Sequence, residues 1–310
     1  MKRILITGGS GNLGNKLIVN LLASFNKVEI HVVDIKKSLI LDNRVFHHKI
    51  DIRSSDLENI ILKYKIEIVY HLIAIISETK LPYETVNDIE INGLKNILKI
   101  IPKSNVKHFI FTSSASVYGF KEGLPELIEE NQKLCNKHII QYSKNKVKAE
   151  NMITNFNRKN NIDITILRTC SILGNKGKNI VNKWFTRRTI IGLKNFKSPF
   201  CFIWDEELAI CLNEVMQRKI IGTYNISSEG HITLKRMAEL QNKRYIELSP
   251  FVLGKALNFT NKLSMSDYKA KHLDFIKYRP LLNTKKFQND FNYNLKLNSE
   301  EVFLNFIKHT

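Results

Sequence analysis

The first fourteen residues restrict this chain more than any other stretch. Lys2 and Arg3 lead into Ile4-Leu5-Ile6, a short apolar run that reads as a buried strand. Glycines stand at 8, 9, 11 and 14, and Lys16-Leu17-Ile18-Val19-Asn20-Leu21-Leu22 then reads as a helix. Gly9-x-Gly11-x-x-Gly14 fits the dinucleotide fingerprint, and Gly8-x-x-Gly11-x-x-Gly14 fits its wider-spaced variant. Such a turn asks for glycine three times: to reverse tightly, to let the backbone approach a pyrophosphate, and to pack helix against strand. The helix N-terminus adds free N–H groups and a partial positive charge for the phosphates. A second strand, Val28–Val33, ends at Asp34, and 34 − 14 = 20 residues is the spacing at which an acid meets the adenosine ribose hydroxyls. A carboxylate there repels a 2′-phosphate, so NAD is expected ahead of NADP. Lys36 and Lys37, just beyond, blunt that preference.

The strand-then-helix alternation continues. Arg44–Ile50 reads as a third strand ending at Asp51-Ile52-Arg53. A helix capped by Ser54 or Ser55 follows, with Leu57, Ile60, Ile61 and Tyr64 on one face. Ile66–Leu72 is a fourth strand running into Ile73-Ala74. A helix over about 83–101 carries Leu94, Ile97, Leu98 and Ile101 on one face and stops at Pro102. His108–Thr112 is a fifth strand with Ser113-Ser114 at its carboxyl end. A helix spans about 139–157, and Ile164–Leu167 is a sixth strand ending at Arg168. This pattern predicts an α/β fold, a Rossmann-type doubly wound parallel sheet whose ligands gather at the carboxyl ends of the strands. Residues 1–172 are expected to form the dinucleotide-binding domain. A strand near 222–227 returns to its sheet, and 173–310 form a smaller, discontinuous substrate-binding domain. Leu173 to Pro199 reads as a basic, polar stretch; a helix from Glu206, one capped by Thr233 and one after Ser299 follow.

Composition narrows the function class. The 310 residues are 43% hydrophobic, enough for a full core and against global disorder. No run is long enough to span a bilayer, and the N-terminal apolar run is too short for a signal peptide. Cys135, Cys170, Cys201 and Cys211 lack metal-ligand spacing and fit a reducing cytosol, so no metal and a cytoplasmic location are expected. The net charge of +19 admits a nucleic-acid or anionic-membrane partner, but the lysines are scattered rather than striped. Solvated faces are the preferred reading, with neither nucleic acid nor membrane as partner.

The chemistry rests on Tyr142-x-x-x-Lys146. On a helix, i, i+4 spacing puts both side chains on one face. A nearby ammonium favours the phenolate and lowers the phenol's pKa from about 10. Such a tyrosine exchanges a proton with an alcohol or carbonyl while hydride moves to or from a nicotinamide, and the Ser114 hydroxyl is placed to hold the same oxygen. In a lysine-rich chain this pair also arises by chance as a solvated helix face. The fingerprint upstream and the serine-rich strand end favour catalysis.

These motifs together resemble the extended short-chain dehydrogenase/reductases of the NAD-dependent epimerase/dehydratase group. The likeness runs over nearly the whole chain. It rests on Thr7-Gly-Gly-Ser-Gly-Asn-Leu-Gly14, Asp51-Ile52-Arg53, His71-Leu-Ile-Ala74, Asn92-Gly93-x-x-Asn96, Ser113-Ser-Ala-Ser-Val-Tyr-Gly119, Tyr142-Ser-Lys-Asn-Lys146 and Leu167-Arg168, with Phe202–Ala209 and Tyr224–Ser227 as later landmarks. The resemblance implies Ser114, Tyr142 and Lys146 as catalytic residues, with Lys146 also on the nicotinamide ribose. It implies NAD contacts from Gly8, Gly11, Asn12, Leu13, Gly14 and Asp34, from Asp51 and Ile52 around adenine, from Ala74 along the cleft, and from Tyr142 and Lys146. Asn92 is a supporting polar residue, a nucleotide sugar is the implied substrate, and the implied assembly is a homodimer packed through the helices near 83–101 and 139–157.

Two departures limit the analogy. Family dehydratases carry an Asp-Glu pair where this chain has Ala115-Ser116, which disfavours a sugar 4,6-dehydratase. Phe200-Cys-Phe-Ile-Trp204 lacks the arginine and histidine usual before the late aspartate. That leaves Lys176, Lys178, Arg187 or Arg188 as substitutes for a diphosphate clamp. The expected activity is NAD-dependent oxidation or epimerisation of a secondary alcohol. The competing readings are a net NAD(P)-dependent dehydrogenase or reductase of a non-nucleotide alcohol or ketone, and a non-catalytic dinucleotide sensor.

Overall fold

A computed structural model describes residues 1–38, 40–75, 81–137, 140–175, 187–263 and 269–309. Its first six strands are β1 (Lys2–Thr7), β2 (Val28–Asp34), β3 (Val45–Lys49), β4 (Ile68–His71), β5 (His108–Ser114) and β6 (Asp163–Thr169). The short strands β7 (Ser171–Leu173), β8 (Thr189–Leu193), β9 (Pro199–Phe200) and β10 (Phe202–Trp204) precede β11 (Gly222–Ile226). β12 (Ile232–Thr233) and β13 (Arg244–Leu248) come after it. One sheet takes the order β11-β6-β5-β4-β1-β2-β3, and every pairing in it is parallel. The order reverses between β1 and β4, so a crevice opens at their carboxyl ends, the position where doubly wound sheets bind ligands. Thr7 and His71 are register partners there, and Thr7 Oγ1 hydrogen-bonds His71 Nδ1 at 2.7 Å.

Strands buried on both faces explain the unbroken Ile4-Leu5-Ile6 run. Ile4 and Ile6 pack with Leu17 and Ile18 of α1 (Asn12–Ser24), while Leu5 packs on the other side with Leu57 of α2 (Asp56–Lys63). The Ser54 hydroxyl, rather than Ser55, accepts from the Asp56 N–H at the start of α2. The helix expected over 83–101 is interrupted. It forms α3 (Tyr83–Asn87), a π-helical segment (Asp88–Asn92) and α4 (Gly93–Ile100), with Pro102 inside a following 3-10 turn. The next helix, α5, runs over Gln141–Asn160, and the expected start at Ile139 lies outside the described residues.

α6 (Asp205–Arg218) packs on α1 and shares its core, with Asn213 Nδ2 donating to Ser24 Oγ at 2.7 Å. β11 returns to the sheet beside β6 as the sequence predicts. Leu173, Phe200, Phe202, Trp204, Met237 and Phe303 form a third, separate core. Within it β8 pairs in parallel with β13, a pairing the polar reading of 173–199 misses. Thr233 caps its helix through the Arg236 N–H, and the final helix spans Ser299–Lys308. No helix among the described residues is long and apolar enough to cross a membrane, and no group of three metal-ligating side chains occurs among them.

Candidate active site

The turn after β1 is sterically full. Gly8 has φ +73°, and a Cβ there would sit 3.1 Å from the Ile73 backbone nitrogen. A Cβ on Gly14 would come within 2.5 Å of the Gly9 Cα. The Gly11 N–H donates to the Gly8 carbonyl at 3.1 Å and Gly11 caps α1, so Asn12, Leu13 and Gly14 supply first-turn N–H groups with no partner in their own helix. This is a backbone cradle shaped for a phosphate. Gly14→Ala is expected to lower unfolding free energy by about 1–3 kcal/mol through overpacking against Gly9. Urea unfolding checks this, and an unchanged midpoint would show that the turn relaxes freely.

The other cofactor-directed residues divide into cleft and core. Asp34 Oδ2 accepts from the Ser10 N–H at 3.1 Å and Oδ1 from the Lys36 N–H at 2.9 Å, so its carboxylate lies directly against the glycine turn. Asp51 accepts from Arg53 Nε at 2.8 Å and Nη2 at 2.7 Å, and those hydrogen bonds hold its carboxyl below the usual range. Arg53 also pairs with Asp88. The Ile52 side chain is buried against Gly93, within the core on that side of the sheet. Ala74 is exposed just beyond β4. The Asn12 side chain donates to Asp205 Oδ2, which ties the glycine turn to the start of α6.

Tyr142 sits in the first turn of α5, close enough to Ser114 at the end of β5 for that hydroxyl to favour its phenolate. Lys146 follows one turn later, 3% exposed, with Nζ donating to the Thr112 carbonyl at 2.8 Å. Nζ lies 4.7 Å from the Phe111 ring centre and 5.7 Å from that of Tyr142. Spacing alone leads to a lowered phenol pKa, and the structure corrects that. Burial, then the nearby Glu90 carboxylate, push Tyr142 up to about 12, and only the Ser114 hydroxyl opposes them. The ammonium is directed at a carbonyl instead of the phenol, and burial brings Lys146 down to about 8.

The sequence reading gave no role to Glu90, Glu150 or Arg279 and no partner to Arg168. Glu90 is buried beside Tyr142 and Lys146. Glu150 and Arg168 form a buried ion pair, with Arg168 Nη2 2.7 Å from Glu150 Oε2, and Ser113 Oγ donates to Glu150 Oε1 at 2.5 Å. Arg279 has its guanidinium 4.0 Å from the Phe200 ring centre and 4.4 Å from that of Phe275. Its Nη2 donates to Ser171 Oγ at 3.0 Å, and its buried Nη1 has no hydrogen-bond partner among the described residues. Of the expected clamp residues, Arg187 and Arg188 are exposed, and Lys176 and Lys178 lie outside the described residues, as does Lys183. Asn92 is exposed and donates to Asp88, which pairs with the Arg53 that holds Asp51. Trp204 is buried in the third core.

The profile of the NAD dependent epimerase/dehydratase family matches residues 4–202. Among curated proteins, the chain is 30% identical over 187 residues to D-erythronate dehydrogenase of Haemophilus influenzae, covering 57% of this chain and 56% of that protein. It spans a little over half the length of that curated relative. Among solved structures, it is similar to UDP-glucose 4-epimerase from Thermotoga maritima, crystallised with UDP-glucose, at 18% identity, TM-score 0.75, and 99% and 98% coverage of the two chains. It is similar as well to dTDP-glucose 4,6-dehydratase from Bacillus anthracis in complex with NAD, at 16% identity, TM-score 0.75, and 100% and 96% coverage.

Proposed function

The chain belongs to the NAD dependent epimerase/dehydratase family, and from that membership we propose that it uses NAD to oxidise a secondary alcohol of a nucleotide sugar and to return hydride to the opposite face. The observation that carries this is the juxtaposition of Tyr142 and Ser114, with Lys146 one turn away, at the same end of the sheet as the glycine turn. NAD, when bound, supplies the carbon that takes up and gives back hydride. The N–H groups of Asn12, Leu13 and Gly14 hold its phosphates, and Asp34 meets the adenosine ribose. Asp51 stands at the adenine end, and Ala74 lines the cleft. Lys146 reaches the nicotinamide ribose. As the phenolate, Tyr142 takes the proton of the substrate hydroxyl while the alcohol carbon gives up hydride, and as the phenol so formed it restores that proton afterwards, while Ser114 holds the reacting oxygen.

Arg279 supports a phosphorylated substrate. Its unpartnered Nη1 is a buried donor, and an anion satisfies such a donor well. This residue takes over the clamp role that sequence alone left to the basic loop. The part of 173–310 outside α6 and β11 serves as the discontinuous substrate domain, and α3, α4 and α5 form the homodimer face of a cytoplasmic enzyme. Ala115 and Ser116 are buried without a carboxylate, which supports epimerisation over water elimination.

A panel of UDP- and dTDP-sugars incubated with the protein and NAD tests the reading. Conversion of one sugar into its epimer without net reduction of added NAD is expected. The likeness to D-erythronate dehydrogenase favours a second reading, a net dehydrogenase of a hydroxy acid. Stoichiometric NAD reduction by such an acid, with every nucleotide sugar inert, would replace the first reading with the second.

A further inference from the structure

Glu90 occupies the π-helical segment between α3 and α4 and is 7% exposed. Such turns are uncommon inside helices and recur at functional sites. Both carboxylate oxygens are committed. Oε1 accepts from the Ile75 N–H at 2.8 Å and Oε2 from Asn145 Nδ2 at 2.6 Å. Asn145 Oδ1 in turn accepts from Gln141 Nε2 at 2.8 Å. Ile75 follows Ala74 in the loop beyond β4, while Gln141 and Asn145 stand immediately before Tyr142 and Lys146. One buried carboxylate thus spans from the cleft loop to the helical turn that carries the acid/base pair. Neither hydrogen-bond partner is charged, and a buried charge needs compensation nearby. Lys146 is the cation that senses it.

We propose that Glu90 is a positioning residue of this site, bracing the Tyr142–Lys146 turn against the loop beyond β4 and setting the charge that both side chains face. The proposal rests on Tyr142 being the proton carrier. Tyr142 faces Glu90 from the π segment, Ser114 from β5 and Lys146 on its own helix. Lys146 faces Glu90, Glu150 on α5 and His71 on β4. Burial holds His71 down at about 3 and therefore neutral, and Glu150 is paired with Arg168. A negative charge beside a phenol disfavours its ionisation, and the same charge beside an ammonium favours the protonated form. Both effects are seen, opposing phenolate formation at Tyr142 and countering burial at Lys146. Glu90 therefore favours the protonated form of both side chains.

The test reads the Tyr142 titration directly, by ring-labelled tyrosine NMR on the full chain, with Tyr142→Phe identifying the signal. Glu90→Gln is expected to move that titration to lower pH by about one unit, and Glu90→Asp to restore it. The alkaline rise of alcohol oxidation should follow the same shift. Should the glutamine variant fail to fold, Glu90→Ala gives the same readout. A Tyr142 titration unmoved in a folded neutral variant overturns the proposal. Because the titration needs no turnover, a shifted signal in a protein inert toward every substrate would retire the enzyme reading and leave the electrostatic coupling standing.

Discussion

Tyr142→Phe is expected to cut turnover by about 10²–10⁴-fold, the range a positioned acid or base contributes, while leaving NAD binding largely intact. The substitution deletes one oxygen and keeps the ring. The glycine turn, with its own hydrogen bonds to β2 and α1, does not depend on that oxygen. Ser114 loses its phenol neighbour but keeps the hydrogen bond it accepts from the Ser116 N–H at 3.2 Å. Steady-state rates on the converted substrate and calorimetric NAD binding separate the two effects. Retention of more than about a tenth of wild-type turnover would mean that another group moves the proton. With the phenol held up to about 12, Tyr142 rests as an acid, so alcohol oxidation should still be rising with pH above neutrality.

Arg168→Leu is expected to lower unfolding free energy by about 3–5 kcal/mol, because it strands the Glu150 carboxylate in the interior. Arg168 Nε reaches both Glu150 oxygens at 3.1 Å, and Nη1 donates to the Tyr118 hydroxyl and the Glu130 carbonyl, each at 2.8 Å. The Tyr118 hydroxyl passes the network to Asn225 Oδ1 at 2.7 Å, so β5, β6, α5 and β11 are joined through one guanidinium. Replacing Glu150 and Arg168 together by leucine should cost less than the single change, since no unpaired charge remains. Urea unfolding of the two single variants and the double completes the cycle. A double variant as unstable as the sum of the singles would place the stability in packing and not in the pair.

The parts of this molecule legible in the sequence are those determined by local spacing. Ile4-Leu5-Ile6 followed by four glycines specifies a strand, a turn and a close helix contact without reference to anything distant. The Tyr142–Lys146 spacing sets a shared face for the same reason. The direction of the Lys146 ammonium is a different matter, because Thr112, thirty-four residues earlier, supplies the carbonyl that draws it. Glu90 was hidden by the π segment, although it stands four residues before Leu94 on the face of Ile97 and Leu98. A charge on an apolar face was the available cue. Arg279 looks like any other cation in a basic chain, since its aromatic cage comes from Phe200 and Phe275 together with Phe120 of a third segment. The β8–β13 pair escaped notice because Leu193 and Arg244 are separated by α6, β11 and the Thr233-capped helix.

The late arrival of β11 bears on how this polypeptide can be divided. The family match stops at residue 202, and 222 − 202 = 20 residues still separate that point from the strand that flanks β6. A fragment ending there would leave the outer border of β6 as a row of bare amides and carbonyls, an open template for any passing strand. Thr165, whose hydroxyl donates to the Ile220 carbonyl, and Tyr118, which relies on Asn225, would lose buried partners at the same stroke. The nucleotide-binding half is therefore not a detachable cassette, and trimming the chain to its most recognisable portion strips β6 of its hydrogen-bonded neighbour.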